Sequence, residues 1–230
     1  MTSQATPSSS DDALEARIVV LISGAGSNLQ ALIEATASSD FPGRIVAVGS
    51  NRPEATGLER ADQAGIETFV LDHTGYSDRQ SFDVDLLRKL EGYNPDLVIL
   101  AGFMRILTPD FVRYFRGKLI NVHPSLLPRY QGLKTHQRAL DAGDSVHGAS
   151  IHFVTEELDG GPVIAQAEVP VLENDTADTL GARVQAREHV LYPIIARWFC
   201  EGRIALGNDE VLFDGSPMPA ILTLPADVYQ

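Results

Sequence analysis

Arg17-Ile18-Val19-Val20-Leu21-Ile22-Ser23-Gly24-Ala25-Gly26-Ser27-Asn28-Leu29 is the stretch that decides the fold. Residues 18–22 are apolar without interruption and of strand length, two glycines break the run, and Leu29, Leu32 and Ile33 follow at helical spacing. The order is strand, glycine turn, helix. A strand lacking polar alternation is covered on both faces, as in a parallel sheet flanked by helices. Similar runs recur at 45–48, 68–71, 97–100 and 119–122, separated by stretches that suit helices at 55–64 and 79–90. This alternation predicts an α/β chain with a Rossmann-like, doubly wound, mostly parallel sheet.

Beyond Pro128 the pattern changes. Residues 135–142 suit a short helix, 146–154 and 163–169 an antiparallel strand pair, and 176–199 a long helix. Leu180, Val184, Leu191, Ile194, Ile195 and Trp198 give that helix an apolar stripe, interrupted by Pro193. Residues 203–206 and 210–213 flank Gly207-Asn208-Asp209 as a terminal hairpin.

The length of 230 residues fits one domain with a C-terminal elaboration, and 44% hydrophobic with 21% charged residues is ordinary globular composition. The Ser-, Thr- and Asp-rich residues 1–16 read as a disordered tail without the progression of a secretory signal. The domain is expected over 17–206, with 207–230 as a hairpin and tail that is part of it or peripheral. A net charge of -13 argues against a nucleic-acid surface, and no apolar run is long enough to span a bilayer. The single Cys200 can form no internal disulfide and reads as core, in keeping with a reducing cytoplasm.

The glycine turn narrows the ligand. Gly24 and Gly26 stand as in a dinucleotide fingerprint, but the third glycine position holds Leu29, and the second strand ends in Ser50-Asn51 with no acid for a ribose hydroxyl. What survives is a helix N-terminus with unbonded N–H groups beside Ser27 and Asn28, which suits a phosphate monoester. A tight turn whose glycines only permit close packing fits the spacing equally well.

Chemistry enters at Asn121-Val122-His123-Pro124-Ser125-Leu126-Leu127-Pro128. Alternation points Asn121 and His123 the same way at a strand exit that the prolines terminate. An amide donor beside an imidazole can hold a developing oxyanion while protons move, as acyl transfer requires. In Glu157-Leu158-Asp159-Gly160-Gly161-Pro162 a tight turn presents Asp159. That carboxylate would favour an imidazolium at His123 if the two meet; an ordinary Asx turn is the other reading.

Together, residues 22–31, Ala101-Gly102-Phe103-Met104-Arg105-Ile106-Leu107, residues 121–128 and residues 157–162 resemble the phosphoribosylglycinamide formyltransferase family, in order, from about residue 17 to about residue 206. The resemblance implies transfer of a formyl group from 10-formyltetrahydrofolate, the cosubstrate, to the amine of glycinamide ribonucleotide in purine synthesis, without a metal. It implies Asn121, His123 and Asp159 as the catalytic trio, Gly26, Ser27 and Asn28 around the ribonucleotide phosphate, and Gln185 and Glu188 toward its ribose and amine. It further implies a folate subsite from Arg79, Met104, Arg105, Ile106, Leu107, Asn121, Thr155 and Asp159. On residues alone, Met104 to Leu107 reads as core and Arg79 as a surface charge. The expected partners are these two small molecules, with no nucleic acid or membrane, for a cytoplasmic monomer or homodimer. Methionyl-tRNA formyltransferase and formyltetrahydrofolate hydrolase resemble the chain through the same Asn, His and Asp. The first is expected to carry a C-terminal RNA-binding domain and the second a preceding regulatory one. A nicotinamide oxidoreductase and a non-catalytic folate or nucleotide sensor are the alternatives from other classes.

Overall fold

The computed structural model describes residues 15–224. In chain order the strands are β1 (Ala16–Ile22), β2 (Gly43–Ser50), β3 (Thr68–Val70), β4 (Leu97–Leu100), β5 (Leu119–His123), β6 (Val146–Phe153), β7 (Val163–Pro170), β8 (Ile204–Leu206), β9 (Val211–Phe213), β10 (Ser216–Pro217) and β11 (Leu222–Leu224). The helices are α1 (Ser27–Thr36), α2 (Gly57–Gln63), α3 (Arg79–Tyr93), α4 (Pro109–Tyr114), α5 (Thr135–Asp141) and α6 (Ala177–Cys200).

Eight strands form one sheet in the order β11-β7-β6-β5-β4-β1-β2-β3. From β3 across to β5 all neighbours are parallel; β6 runs antiparallel to both β5 and β7, and β11 runs parallel to β7. The apolar uniformity of β1 has the cause its sequence predicts. Ile18, Val20 and Ile22 enter a core with α1 and α6, while Val19 and Leu21 enter a second with Phe82, Leu86 and Leu90 of α3 and Phe111 of α4. Each such side chain contributes about 1.5–3 kcal/mol on burial, so a polar residue on either face of β1 would be costly. Strand order reverses between β1 and β4, and the crevice at the carboxyl ends of such strands is where this architecture takes its ligands.

Several boundaries differ from expectation. β1 begins at Ala16, inside the stretch read as tail, while residues 1–14 of that stretch lie outside the described residues. α4 was not anticipated: six residues opened by Pro109 are too few to print a helical period. In α6, Thr176 accepts from Thr179 N–H as the N-cap, and the helix runs unbroken through Pro193 for 24 residues. Burial of Leu191, Tyr192, Ile195 and Ala196 around the proline offsets the lost backbone bond. β8 and β9 form the expected hairpin within a small sheet that also takes β10. β11 instead returns to extend the main sheet.

Candidate active site

Asn121 and His123 lie two residues apart on β5, on the side of the sheet shared with Leu119, and His123 is the strand's last residue. Asp159 reaches them from the turn after β6, with its Oδ2 3.4 Å from His123 Nδ1. That is close enough for ionic support and longer than a good hydrogen bond. The turn is locked by Gly161, where a Cβ would stand 1.8 Å from the Phe153 carbonyl oxygen. Asp159 itself is left-handed, with φ 50°.

The other ring nitrogen of His123 faces the Tyr130 carbonyl at 2.9 Å. A carbonyl only accepts, so the proton on Nε2 is fixed and Nδ1 is the position that gains and loses one. A third ring, His152 of β6, completes the cluster. Its Nδ1 lies 2.9 Å from the Phe153 carbonyl, its Nε2 lies 3.2 Å from Asn121 Nδ2, and burial lowers its pKa. A neutral ring that donates through Nδ1 must accept at Nε2, which orients the Asn121 amide and leaves its second N–H to donate elsewhere. His152 Nε2 is also 3.9 Å from Asp159 Oδ1. Sequence reasoning missed this residue, although its place two after Ser150 in a buried strand puts a polar group where none belongs without a partner.

At the end of β1, Gly26 caps α1 with φ 69°, and a Cβ there would lie 2.8 Å from Gly57 Cα. Close packing is therefore one function of this glycine. No side chain caps α1, so the N–H groups of its first turn remain donors. Asn28 does not aim at that turn: its Nδ2 donates to Glu188 Oε2 of α6 at 2.7 Å, and its buried Oδ1 has no partner among the described residues. Burial raises the pKa of Glu188. Gln185, one turn earlier, is exposed.

The segment after β4 is core only in part, since Leu107 packs against the second core and Met104 and Ile106 do not. Met104 and Ile106 are 60% and 50% exposed, whereas Phe103 is buried and Arg105 lies half-buried with its guanidinium 4.2 Å from the Phe82 ring. The segment is nonetheless anchored. Met104 N–H donates to Ser23 Oγ at 2.7 Å, Ser23 donates to Asn51, and Thr108 N–H donates to the buried Asp83. Arg79 is exposed at the start of α3, facing Asp83 and Arg105. Half-buried Thr155 opens the turn that ends at Asp159. A cavity of about 350 Å³ beside Asp159 is lined by Leu127, Pro128, Gln131, Gly161 and Val163. A larger hollow of about 490 Å³ beyond that turn contains Arg113 and Arg116, already paired with Glu156 and Asp209, and none of the trio. Cys200 is half-buried, its thiol pushed up to about 12 chiefly by burial, which suits packing and not nucleophilic attack. Among the described residues no helix is long and apolar enough to cross a membrane.

Comparison with known proteins gives the family. The model of the formyl transferase family matches residues 16–195. The chain is 52% identical over 202 residues to phosphoribosylglycinamide formyltransferase of Escherichia coli strain K12, covering 88% of this chain and 95% of that one. It is 46% identical over 195 residues to the trifunctional purine biosynthetic protein adenosine-3 of Bos taurus, covering 85% of this chain and 19% of that protein. Among solved structures, the phosphoribosylglycinamide formyltransferase of Coxiella burnetii superposes with a TM-score of 0.87 at 46% identity, covering 91% of this chain and 99% of that one. The chain belongs to the formyl transferase family, within its phosphoribosylglycinamide formyltransferase branch.

Proposed function

We propose that Asn121, His123 and Asp159 carry the formyl transfer of this enzyme. The chain transfers a formyl group to glycinamide ribonucleotide in purine synthesis, and its family uses formyl folate as cosubstrate. The donor we assign is 10-formyltetrahydrofolate. The observation that carries the roles is the convergence of the His123 ring, the oriented Asn121 amide and the Asp159 carboxylate at the carboxyl end of β5.

When the ribonucleotide amine attacks the formyl carbon, negative charge gathers on the formyl oxygen. The second N–H of Asn121 and a protonated Nδ1 of His123 are the donors available to that oxygen, and Asp159 supports the positive ring. Collapse breaks the bond between the formyl carbon and the folate nitrogen. One proton leaves the attacking nitrogen and one reaches the departing nitrogen, a net exchange that His123 Nδ1 can mediate. Met104 and Ile106, exposed apolar side chains on an anchored segment, suit the flat ring of a pterin, and the cationic Arg79 and Arg105 beside them suit the carboxylates of the folate's glutamate. The uncapped turn of α1 with Gly26, Ser27 and Asn28 suits the phosphate, with Gln185 and Glu188 toward the sugar and amine. A lone thiol held in apolar packing is compatible with a cytoplasmic setting.

Absorbance-monitored release of deformylated folate, with and without glycinamide ribonucleotide, tests the reaction. Release that depends on the ribonucleotide is the expected result; release without acceptor would make the enzyme a hydrolase.

A further inference from the structure

Residues 129–132 run between His123 and Asp159 and touch both. The Tyr130 carbonyl faces His123 Nε2, Gly132 N–H donates to Asp159 Oδ2 at 2.9 Å, and Gln131 Nε2 donates to the Asp159 carbonyl at 3.2 Å. Tyr130 presents its carbonyl from a left-handed backbone, φ 57°, which a bulky residue adopts only when its surroundings hold it there. The surroundings are plain. The Tyr130 hydroxyl donates to Asp144 Oδ2 at 2.7 Å, and Arg129 closes on the other oxygen of Asp144 at 2.7 Å. The guanidinium groups of Arg129 and Arg138 lie 5.0 and 5.2 Å from the Tyr130 ring, and Arg138 also donates to the Gln131 carbonyl at 2.6 Å. On the inner side the Tyr130 ring meets His147 edge-on at 6.1 Å, and His147 is held by His136 at 3.1 Å and by the Pro124 carbonyl.

We propose that Tyr130, anchored through its hydroxyl to Asp144, is a positioning residue that fixes His123 as the Nε2–H tautomer and so keeps its Nδ1 directed at Asp159 and the reacting atoms. The inference rests on the reading of His123 as the acid. Neither Tyr130 nor Asp144 touches the reacting atoms; both act through the carbonyl at position 130. Loosening the anchor lets the left-handed backbone relax, the carbonyl turns away, and the neutral ring is free to carry its proton on either nitrogen.

The test joins kinetics to nitrogen-15 NMR of the histidine rings in the full chain, with His123 assigned by the signals lost in His123→Ala. Tyr130→Phe removes one oxygen and Asp144→Ala removes its acceptor. Each is expected to lower kcat between about 10-fold and 10²-fold, the cost of a misplaced catalytic group, with the KM for the ribonucleotide unchanged. The His123 signals should move from a pure Nε2–H pattern to a mixture, while those of the distant His73 stay in place and report an intact fold. Asp144→Asn retains an acceptor for the hydroxyl and should recover most of the rate. An unmixed His123 spectrum in Tyr130→Phe overturns the proposal, whether or not kcat falls. Full turnover in His123→Ala would sink the acid reading alone, and the tautomer result would still stand or fall by itself.

Discussion

At the end of β1 the cleft is walled by main chain, whereas at the end of β5 it is walled by side chains. The glycine turn offers N–H groups that any sequence possesses, and its residue types matter because Gly26 must be left-handed and must sit against Gly57. The β5 end depends on which ring or carboxylate stands where. There His123, Asp159, His152 and Asn121 form a closed set from three stretches of chain. A wall of backbone tolerates change of side chain and fails on change of conformation; a wall of side chains behaves the opposite way.

Substitutions that strike one end only can break this contrast. The largest effect is expected at His123→Ala, where turnover should fall by about 10² to 10⁴-fold, the range for a lost general acid, while titration calorimetry should find ribonucleotide affinity almost unchanged. Equal loss of both would mean that the two ends are not separable. Gly26→Ala is the reciprocal change. Holding a side chain at φ 69° costs about 1–3 kcal/mol, and the added carbon collides with Gly57, so ribonucleotide affinity should suffer more than kcat. A purely kcat defect would remove the phosphate from this turn.

Two smaller effects sharpen the comparison through pH. His147, behind the β5 end, is pushed down to about 4, first by burial and then by the neighbouring His136. A depressed histidine favours the fold while neutral, so its contribution is whole above the ordinary value of 6.5 and is lost as pH falls from there toward about 4. In urea denaturation at a series of pH values, His147→Gln should flatten the decline across that window; an unchanged slope would mean that His147 takes up its proton as readily in the folded state as in the unfolded one. Glu188, behind the β1 end, has the opposite sign. Its raised pKa costs nothing below the ordinary 4.5 and destabilises progressively as pH rises above it. Glu188→Gln should therefore stabilise the fold at pH 7 and leave it almost unchanged at pH 4. The same gain at both values would trace the effect to packing.

The contrast also governs what was legible in the sequence. Strand β4 coincides with its apolar run, and α3 begins at the predicted Arg79, because period and composition are local properties. Asn121 and His123 were legible as a pair, since strand alternation alone puts them on one side. That Asp159 meets His123 depends on the antiparallel return of β6 beside β5, which no spacing encodes. Tyr130 was invisible for a different reason: it contributes a carbonyl, which every residue has. On composition alone Met104 and Ile106 read as core, because an apolar residue looks the same in a sequence whether it ends up exposed or buried.

β11 joins the sheet through Leu222, Thr223 and Leu224, in register with Ala165, Gln166 and Ala167 of β7. Without those three residues the flank of β7 would present a row of unsatisfied amides and carbonyls to any other chain of similar pattern, the usual starting point for edge-to-edge association. The last described strand thus covers the middle of that flank and leaves the sheet to end on this side in a strand of three residues, a short hem that offers a second molecule little to pair with.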